Sequence, residues 1–111
     1  MAKLYRLDDV RRPTRATFFD RNELNQLLSL YSRRVASGEW RDYAIDQRGG
    51  SAVFSVFRHT HDAPAFCIAK RMNGPGANGE YVVSSGRETL KQAKTMSEAL
   101  SIFGRKLRVI S

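Results

Sequence analysis

The amino-acid sequence predicts an α+β domain: an antiparallel four- to six-stranded sheet, arranged as a meander, with two helices packed on one face. Two segments repeat apolar residues at helical spacing, one before and one after the middle of the chain. Between them lie four or five short segments rich in Val, Ile, Phe and Tyr, joined by short turns. Short connections favour antiparallel neighbours, and two helices on one face would bury the apolar stripes of both layers.

The first helix is predicted between Asp20 and Gly38. Asp20 is a favourable N-cap, and Glu23 stands three residues later, as in a capping box. Arg33 and Arg34 fall in the last turn, where the helix dipole favours cations, and Gly38 supplies the stop. The apolar face is predicted to consist of Leu24, Leu27, Leu28, Tyr31 and Val35.

The strands are predicted at residues 39–47, 52–59, 65–71 and 80–85, with a possible short fifth strand at 88–92. A tight turn at 48–51 contains two glycines, which can adopt positive φ at little cost. Because residues 52–59 are apolar on both faces, this strand is expected in the middle of the sheet.

The second helix is predicted after Thr95, which forms a second capping-box pattern with Glu98. Gly104 is expected to end this helix, and residues 106–110 could then close the sheet as a last strand. The face turned to the sheet would consist of Met96, Ala99, Leu100 and Phe103.

The length of 111 residues matches one domain, predicted at residues 16–111, preceded by a mobile basic tail at 1–15. A single cysteine, Cys67, excludes an internal disulfide and favours a reducing compartment. No apolar run approaches the ~20 residues of a membrane helix, and the first residues lack a secretory apolar segment. These features predict a cytoplasmic protein without a membrane partner.

The charge is the strongest global signal. The formal net charge is +8, and arginines outnumber lysines by 14 to 5. Such a balance favours an anionic partner, either nucleic acid or an acidic protein. Eight basic residues are candidates for contacts with nucleic acid: Arg11, Arg12, Arg15, Arg33, Arg34, Arg105, Lys106 and Arg108.

Two weaker motifs have simpler explanations than a cofactor or a metal. Residues 74–79 satisfy GxGxxG, but a strand follows where a dinucleotide-binding fold requires a helix. His59, His61 and Asp62 could approach a metal only with a further ligand, such as Cys67. A flexible loop and a solvent-exposed turn explain these residues, so we predict no cofactor and no metal.

Three further patterns could suggest catalysis or RNA binding. Cys67 alternates with apolar neighbours on a strand, as a buried cysteine does, and lacks the local signature of a thiol nucleophile. Asp42 and Asp46 are four residues apart on one strand, which is too far for a catalytic carboxylate pair. Phe54 and Phe57 point to opposite sheet faces, unlike base-stacking aromatics. We therefore predict no catalytic residues and no enzymatic activity.

Three stretches carry a family resemblance. They are ELNQLLSLY at 23–31, GEWRDYAID at 38–46 and AVFSVFR at 52–58. Together they resemble a family of small uncharacterised proteins of alphaproteobacteria, known as a domain of unknown function. The resemblance implies a bacterial cytoplasmic protein and supplies no activity or ligand. The basic tail and the loop at 73–79 lie outside it.

The sequence thus predicts a small non-enzymatic binding module for an anionic partner, with nucleic acid as the first choice. The alternative is a protein–protein interaction or adaptor domain that could self-associate through a sheet edge.

Overall fold

A meander of five antiparallel strands, in the order β1-β2-β3-β4-β5, forms the sheet of the computed structural model. The structure describes residues 17–59, 63–72 and 79–110, with the side chains of 105–110 excepted. The elements are α1 (Arg21–Ala36), β1 (Asp42–Arg48), β2 (Ser51–Phe57), β3 (Phe66–Met72), β4 (Gly79–Ser85), β5 (Glu88–Ala93) and α2 (Met96–Ile110). The predicted α+β class and meander are confirmed. The tail at 1–15, most of the loop at 73–79, and His61 and Asp62 lie outside the described residues.

Helix α1 begins with the capping box that the sequence predicts. The Asp20 carboxylate accepts from the Glu23 backbone N–H at 2.8 Å, and Glu23 Oε1 accepts from the Asp20 N–H at 2.8 Å. The buried face differs from the predicted one, because Leu27, Leu30 and Arg34 are buried whereas Val35 is 40% exposed. The helix is therefore rotated relative to the expected apolar stripe.

A two-residue turn joins β1 to β2. Arg48 pairs with Ser51 across it, and Gly49 and Gly50 adopt φ of 57° and 86°. Positive φ at both central residues is the type I′ pattern, whose twist matches that of the strands. The predicted turn at 48–51 is confirmed.

The core lies between one face of the sheet and both helices. Phe54 of β2 is in register with Ile68 of β3, which is in register with Val83 of β4, and these three residues are almost fully buried. Leu27 of α1 and Phe103 of α2 belong to the same cluster. Val53 and Ser55, on the other face of β2, are also buried, and β2 is paired on both sides, although the middle strand of the sheet is β3 rather than the predicted β2.

The end of α2 corrects the sequence prediction. Gly104 does not end the helix, and residues 106–110 are helical rather than a sixth strand. The φ angle of Gly104 is not positive, so this residue does not form a left-handed helix cap. Arg, Lys and Leu follow it and are good helix formers, which offsets the cost of about 1 kcal/mol for one glycine.

Neither helix, over the residues that the structure describes, combines the length and the apolar character needed to cross a membrane.

Candidate functional site

The meander topology separates the molecule into two ends. Starts of odd-numbered strands and ends of even-numbered strands meet at one end. The C-terminus of α1 lies there, because the Trp40 N–H, just before β1, donates to the Arg34 carbonyl. Phe103 of α2 also lies there, because Arg34 Nη2 donates to its carbonyl at 2.8 Å.

Four exposed arginines lie at this end, which we call the arginine end: Arg33, Arg41, Arg58 and Arg87. Arg33 is in the last turn of α1, and Arg41 directly precedes β1. Arg58 follows β2, and Arg87 is in the turn between β4 and β5. None of the four side chains forms an ion pair with any residue that the structure describes.

The cations of the opposite end are mostly neutralised by carboxylates. Arg48 pairs with Asp46 at 3.6 Å, and Arg71 pairs with Glu80 at 3.2 Å. Lys70 pairs with the buried carboxylate of Glu23, whereas Arg21 and Lys94 are exposed and form no ion pair with any described residue. Among the described residues, four exposed arginines at the arginine end thus lack an ion pair, compared with two exposed cations at the opposite end.

The arginine end also carries carboxylates. Glu39 pairs with Arg34, and Asp42 Oδ1 accepts from the Tyr43 N–H at 2.8 Å. Glu88 is exposed at the start of β5. None of these carboxylates forms an ion pair with the four exposed arginines among the described residues.

The sequence-predicted basic residues fall into four groups. Arg33 is exposed at the arginine end, and Arg34 is buried. Residues 105, 106 and 108 belong to the last turns of α2, which continue from Phe103, although their side chains are not described. Arg11, Arg12 and Arg15 lie outside the described residues.

Sequence reasoning missed Arg41, Arg58 and Arg87. Their positions could have indicated this. Each lies next to a strand end, and a meander places alternate strand ends at the same end of the sheet.

The burial of Arg34 corrects its assignment to a basic surface. Its side chain is 3% exposed and forms an ion pair with Glu39. The guanidinium also lies 5.5 Å from the Trp40 ring centroid and 5.6 Å from that of Phe103. Arg34 therefore joins α1 to α2 and to the segment before β1, in a cation–π arrangement that excludes phosphate.

A second buried polar cluster surrounds Glu23, which is only 6% exposed. Its Oε1 accepts from the Asp20 N–H and from Lys70 Nζ, each at 2.8 Å, and its Oε2 accepts from the Tyr81 hydroxyl. Lys70 Nζ also donates to the Phe18 carbonyl at 2.9 Å. The cluster connects α1 with β3 and β4.

The Glu23 cluster stabilises the fold rather than forming an open reaction centre. Burial, and then the hydrogen bond to Glu23, raise the pKa of Tyr81 well above its ordinary value. The phenol therefore stays neutral and acts as a donor. Both carboxylate oxygens already have partners, so this cluster offers no free base. Sequence separations of 47 and 58 residues between its members hide the cluster from local pattern analysis.

The metal-site and thiol alternatives gain no support from the described residues. No group of three or more His, Cys, Asp or Glu side chains could hold a metal within the part of the chain that the structure describes. Cys67 Sγ lies 3.5 Å from Ser55 Oγ across the β2–β3 pair, an ordinary contact between neighbouring strands. Phe54 is 1% exposed and belongs to the core, so it presents no stacking surface.

These features define a class: an α+β domain with a five-stranded meander, two helices on one face, and uneven surface charge. The chain belongs to the family described as Protein of unknown function (DUF2794), which matches residues 17–100. Comparisons with curated proteins and with solved structures find no match. The family resemblance noted in the sequence is thus confirmed, and its matched range spans both helices and all five strands.

Proposed function

We propose that this protein binds nucleic acid through the arginine end, by contacts to backbone phosphates and without reading base sequence. The observation that carries the proposal is the unequal pairing of the cations. Arg33, Arg41, Arg58 and Arg87 are exposed and free of ion pairs among the described residues, whereas Arg48, Lys70 and Arg71 at the opposite end are paired.

Guanidinium groups suit phosphate because their donors form a planar fork that matches two phosphate oxygens. The four arginines spread across the sheet from β1 to the β4–β5 turn. With strands about 4.8 Å apart, the full sheet is on the order of 19 Å wide. A duplex segment of that length carries on the order of ten phosphates, enough to engage all four side chains.

Base recognition by stacking is not supported at this end. Trp40, Phe66 and Phe103 lie near the arginines, but each is less than 10% exposed. Stacking on bases requires an accessible ring face. Electrostatic contact therefore supplies the affinity, which should be sensitive to salt and tolerant of sequence.

The decisive comparison uses two triple variants with equal loss of charge. The test variant is R41Q/R58Q/R87Q, and the control is R21Q/R71Q/K94Q at the opposite end. Fluorescence anisotropy with a labelled DNA duplex, at several salt concentrations, measures the slope of log K against log salt. We expect the test variant to lower the magnitude of that slope by about 2.7, at ~0.9 for each lost phosphate contact. The control should keep a slope close to that of the unmodified protein.

Two outcomes would contradict the proposal. The unmodified protein could fail to bind duplex or single-stranded DNA or RNA at low salt. Alternatively, both triple variants could lose the same slope, which would mean that net charge rather than the arginine end is responsible. Circular dichroism of both variants verifies that the fold is kept.

A further inference from the structure

The two edges of the sheet differ in their protection against pairing with another strand. The β4–β5 ladder has a register shift at Val83 and Ser84, and β5 carries Lys91. Bulges and lysines are the usual means of blocking an edge. The β1–β2 ladder is regular over all seven residues of β1, which contains no proline and no lysine. Within the part of the chain that the structure describes, β1 is therefore the edge that can accept a further strand.

The hairpin geometry shows which residues of β1 direct their backbone N–H and C=O groups away from β2. Arg48 and Ser51 flank a two-residue turn, so they form a hydrogen-bonded pair. Alternation along the ladder then directs the backbone groups of Tyr43, Ile45 and Gln47 away from β2. The Tyr43 N–H agrees with this, since it donates to the Asp42 carboxylate at 2.8 Å.

An apolar surface accompanies this edge. Phe18 is 68% exposed, Ile45 48% and Tyr43 38%. Phe18 and Ile45 line one shallow cavity of about 310 Å³. Burial of such residues at an interface would be favourable, and their exposure beside an open strand is typical of an interaction site.

Helix α1 adds a second apolar line on the same side. Leu24, Leu28 and Tyr31 are half-buried, and Val35 is exposed. The Tyr31 ring lies 4.8 Å from that of Tyr43, which places this line of α1 beside β1. The helix is thus apolar over a wider arc than its own sheet covers.

We infer that a second copy of this chain pairs with β1, antiparallel and centred on Ile45, to form a continuous ten-stranded sheet across a two-fold axis. In this register Ile45 pairs with Ile45 of the partner subunit, and Tyr43 pairs with the partner's Gln47. Asp42 then lies opposite the partner's Arg48, twice by symmetry. Both helical layers lie on the same side of the joined sheet, because paired residues share a face.

The charges of β1 select this register over its neighbours. Only residues whose backbone groups point away from β2 can form hydrogen bonds with the partner strand, so the register can shift only by two residues at a time. The nearest alternative registers are centred on Ala44 and on Asp46. The first would place Asp42 opposite the partner's Asp46, and the second would place Asp46 opposite the partner's Asp46. Like charges directly opposite one another are destabilising. Of these three registers, the one centred on Ile45 alone places opposite charges against each other, and it pairs more of β1 than a register centred nearer the strand end.

The test uses two charge reversals of the full chain and their mixture. In D42R, Arg replaces Asp opposite the partner's Arg48, and in R48D, Asp replaces Arg opposite the partner's Asp42. We expect each variant alone to dimerise roughly tenfold more weakly, as measured by sedimentation velocity over a concentration series. Mixing D42R with R48D creates two matched pairs, and the heterodimer should recover the affinity of the unmodified protein.

A chain that stays monomeric over the whole series, or a dimer unaffected by both reversals, overturns the inference. Failure of the mixture to recover affinity overturns the register. Ile45→Pro supplies a second check, since it removes an N–H that β2 does not use and should abolish the dimer while circular dichroism stays unchanged. The nucleic-acid variants change no residue of β1, so dimerisation and DNA binding can fail independently.

Discussion

Glu23 illustrates how one residue can serve local and long-range structure together. Its backbone and side chain complete the capping box of α1, and its carboxylate neutralises Lys70 and receives the Tyr81 hydroxyl. Because the side chain is 8% exposed and that of Lys70 is 13% exposed, water cannot replace these contacts.

Replacement of Glu23 by alanine should therefore be strongly destabilising. The variant leaves a poorly solvated ammonium at Lys70 and an unpaired hydroxyl at Tyr81, and it loses half of the capping box. We expect the free energy of unfolding to fall by about 3–5 kcal/mol, measured by urea denaturation. Glu80→Gln, which breaks the more exposed pair with Arg71, is the control and should cost no more than about 1 kcal/mol. Similar losses in the two variants would contradict this assignment.

The sequence predicted part of this residue's role. The Asp20–Glu23 spacing identified the capping box, because that interaction depends only on three-residue separation. Lys70 and Tyr81 are brought to Glu23 by the sheet, so no local pattern could indicate them. Arg34 is a similar case: its position in the last turn suggested a solvent-exposed cation, whereas Trp40 and Phe103 enclose it.

Two glycines have different roles in secondary structure, because one lies in a tight turn between strands and the other lies inside a helix. Gly49, in the β1–β2 turn, has a φ of 57°, and Gly104 lies within α2. A Cβ at either position would meet no atom within 4 Å. The backbone conformation alone therefore determines the effect of a substitution.

Opposite effects are expected when each of these glycines is replaced by alanine. Gly49→Ala forces an L-residue into the left-handed region and should lower the free energy of unfolding by about 1–2 kcal/mol. Gly104→Ala removes a flexible residue from a helix and should raise it by about 0.5–1 kcal/mol. Thermal denaturation of both variants checks the signs. A loss of stability in Gly104→Ala would show that the helix does not continue through this position.

Element type was easier to predict than element ends. The five strands and two helices follow from apolar periodicity, which extends over many residues. The start of β1 at Asp42 rather than residue 39 was missed, because Trp40 packs into the core instead of continuing the strand. The continuation of α2 past Gly104 was missed because a single glycine is only a weak stop signal.

For the whole molecule, the proposed binding of nucleic acid depends more on the distribution of positive charge than on the net charge. The last turns of α2 contain Arg105, Lys106 and Arg108 and continue from Phe103, at the end where the exposed arginines lie. Phe103 is the last core residue of the helix among the described side chains. These basic residues are therefore expected to add to the binding of nucleic acid.

The variant R105Q/K106Q/R108Q tests the contribution of these three residues to the binding of nucleic acid. We expect weaker binding to labelled DNA and a smaller salt slope, because three cations are removed near the arginine end. Circular dichroism of this variant verifies that the fold is kept. DNA binding unchanged at every salt concentration would restrict the proposed contacts to the folded sheet end.

The α+β class, the meander, the capping box of α1 and the family could be inferred without coordinates, because they depend on local residue spacing, turn length and shared sequence motifs. Which charged side chains of the described residues form ion pairs depends on long-range packing and could not be inferred in this way. Residues distant in sequence help to bury Arg34 and Glu23, whereas Arg41, Arg58 and Arg87 lie at one end of the sheet because a meander places alternate strand ends there. The exposure of Ile45 on an open strand was likewise decided by packing, since burial depends on neighbours that the local sequence does not contain.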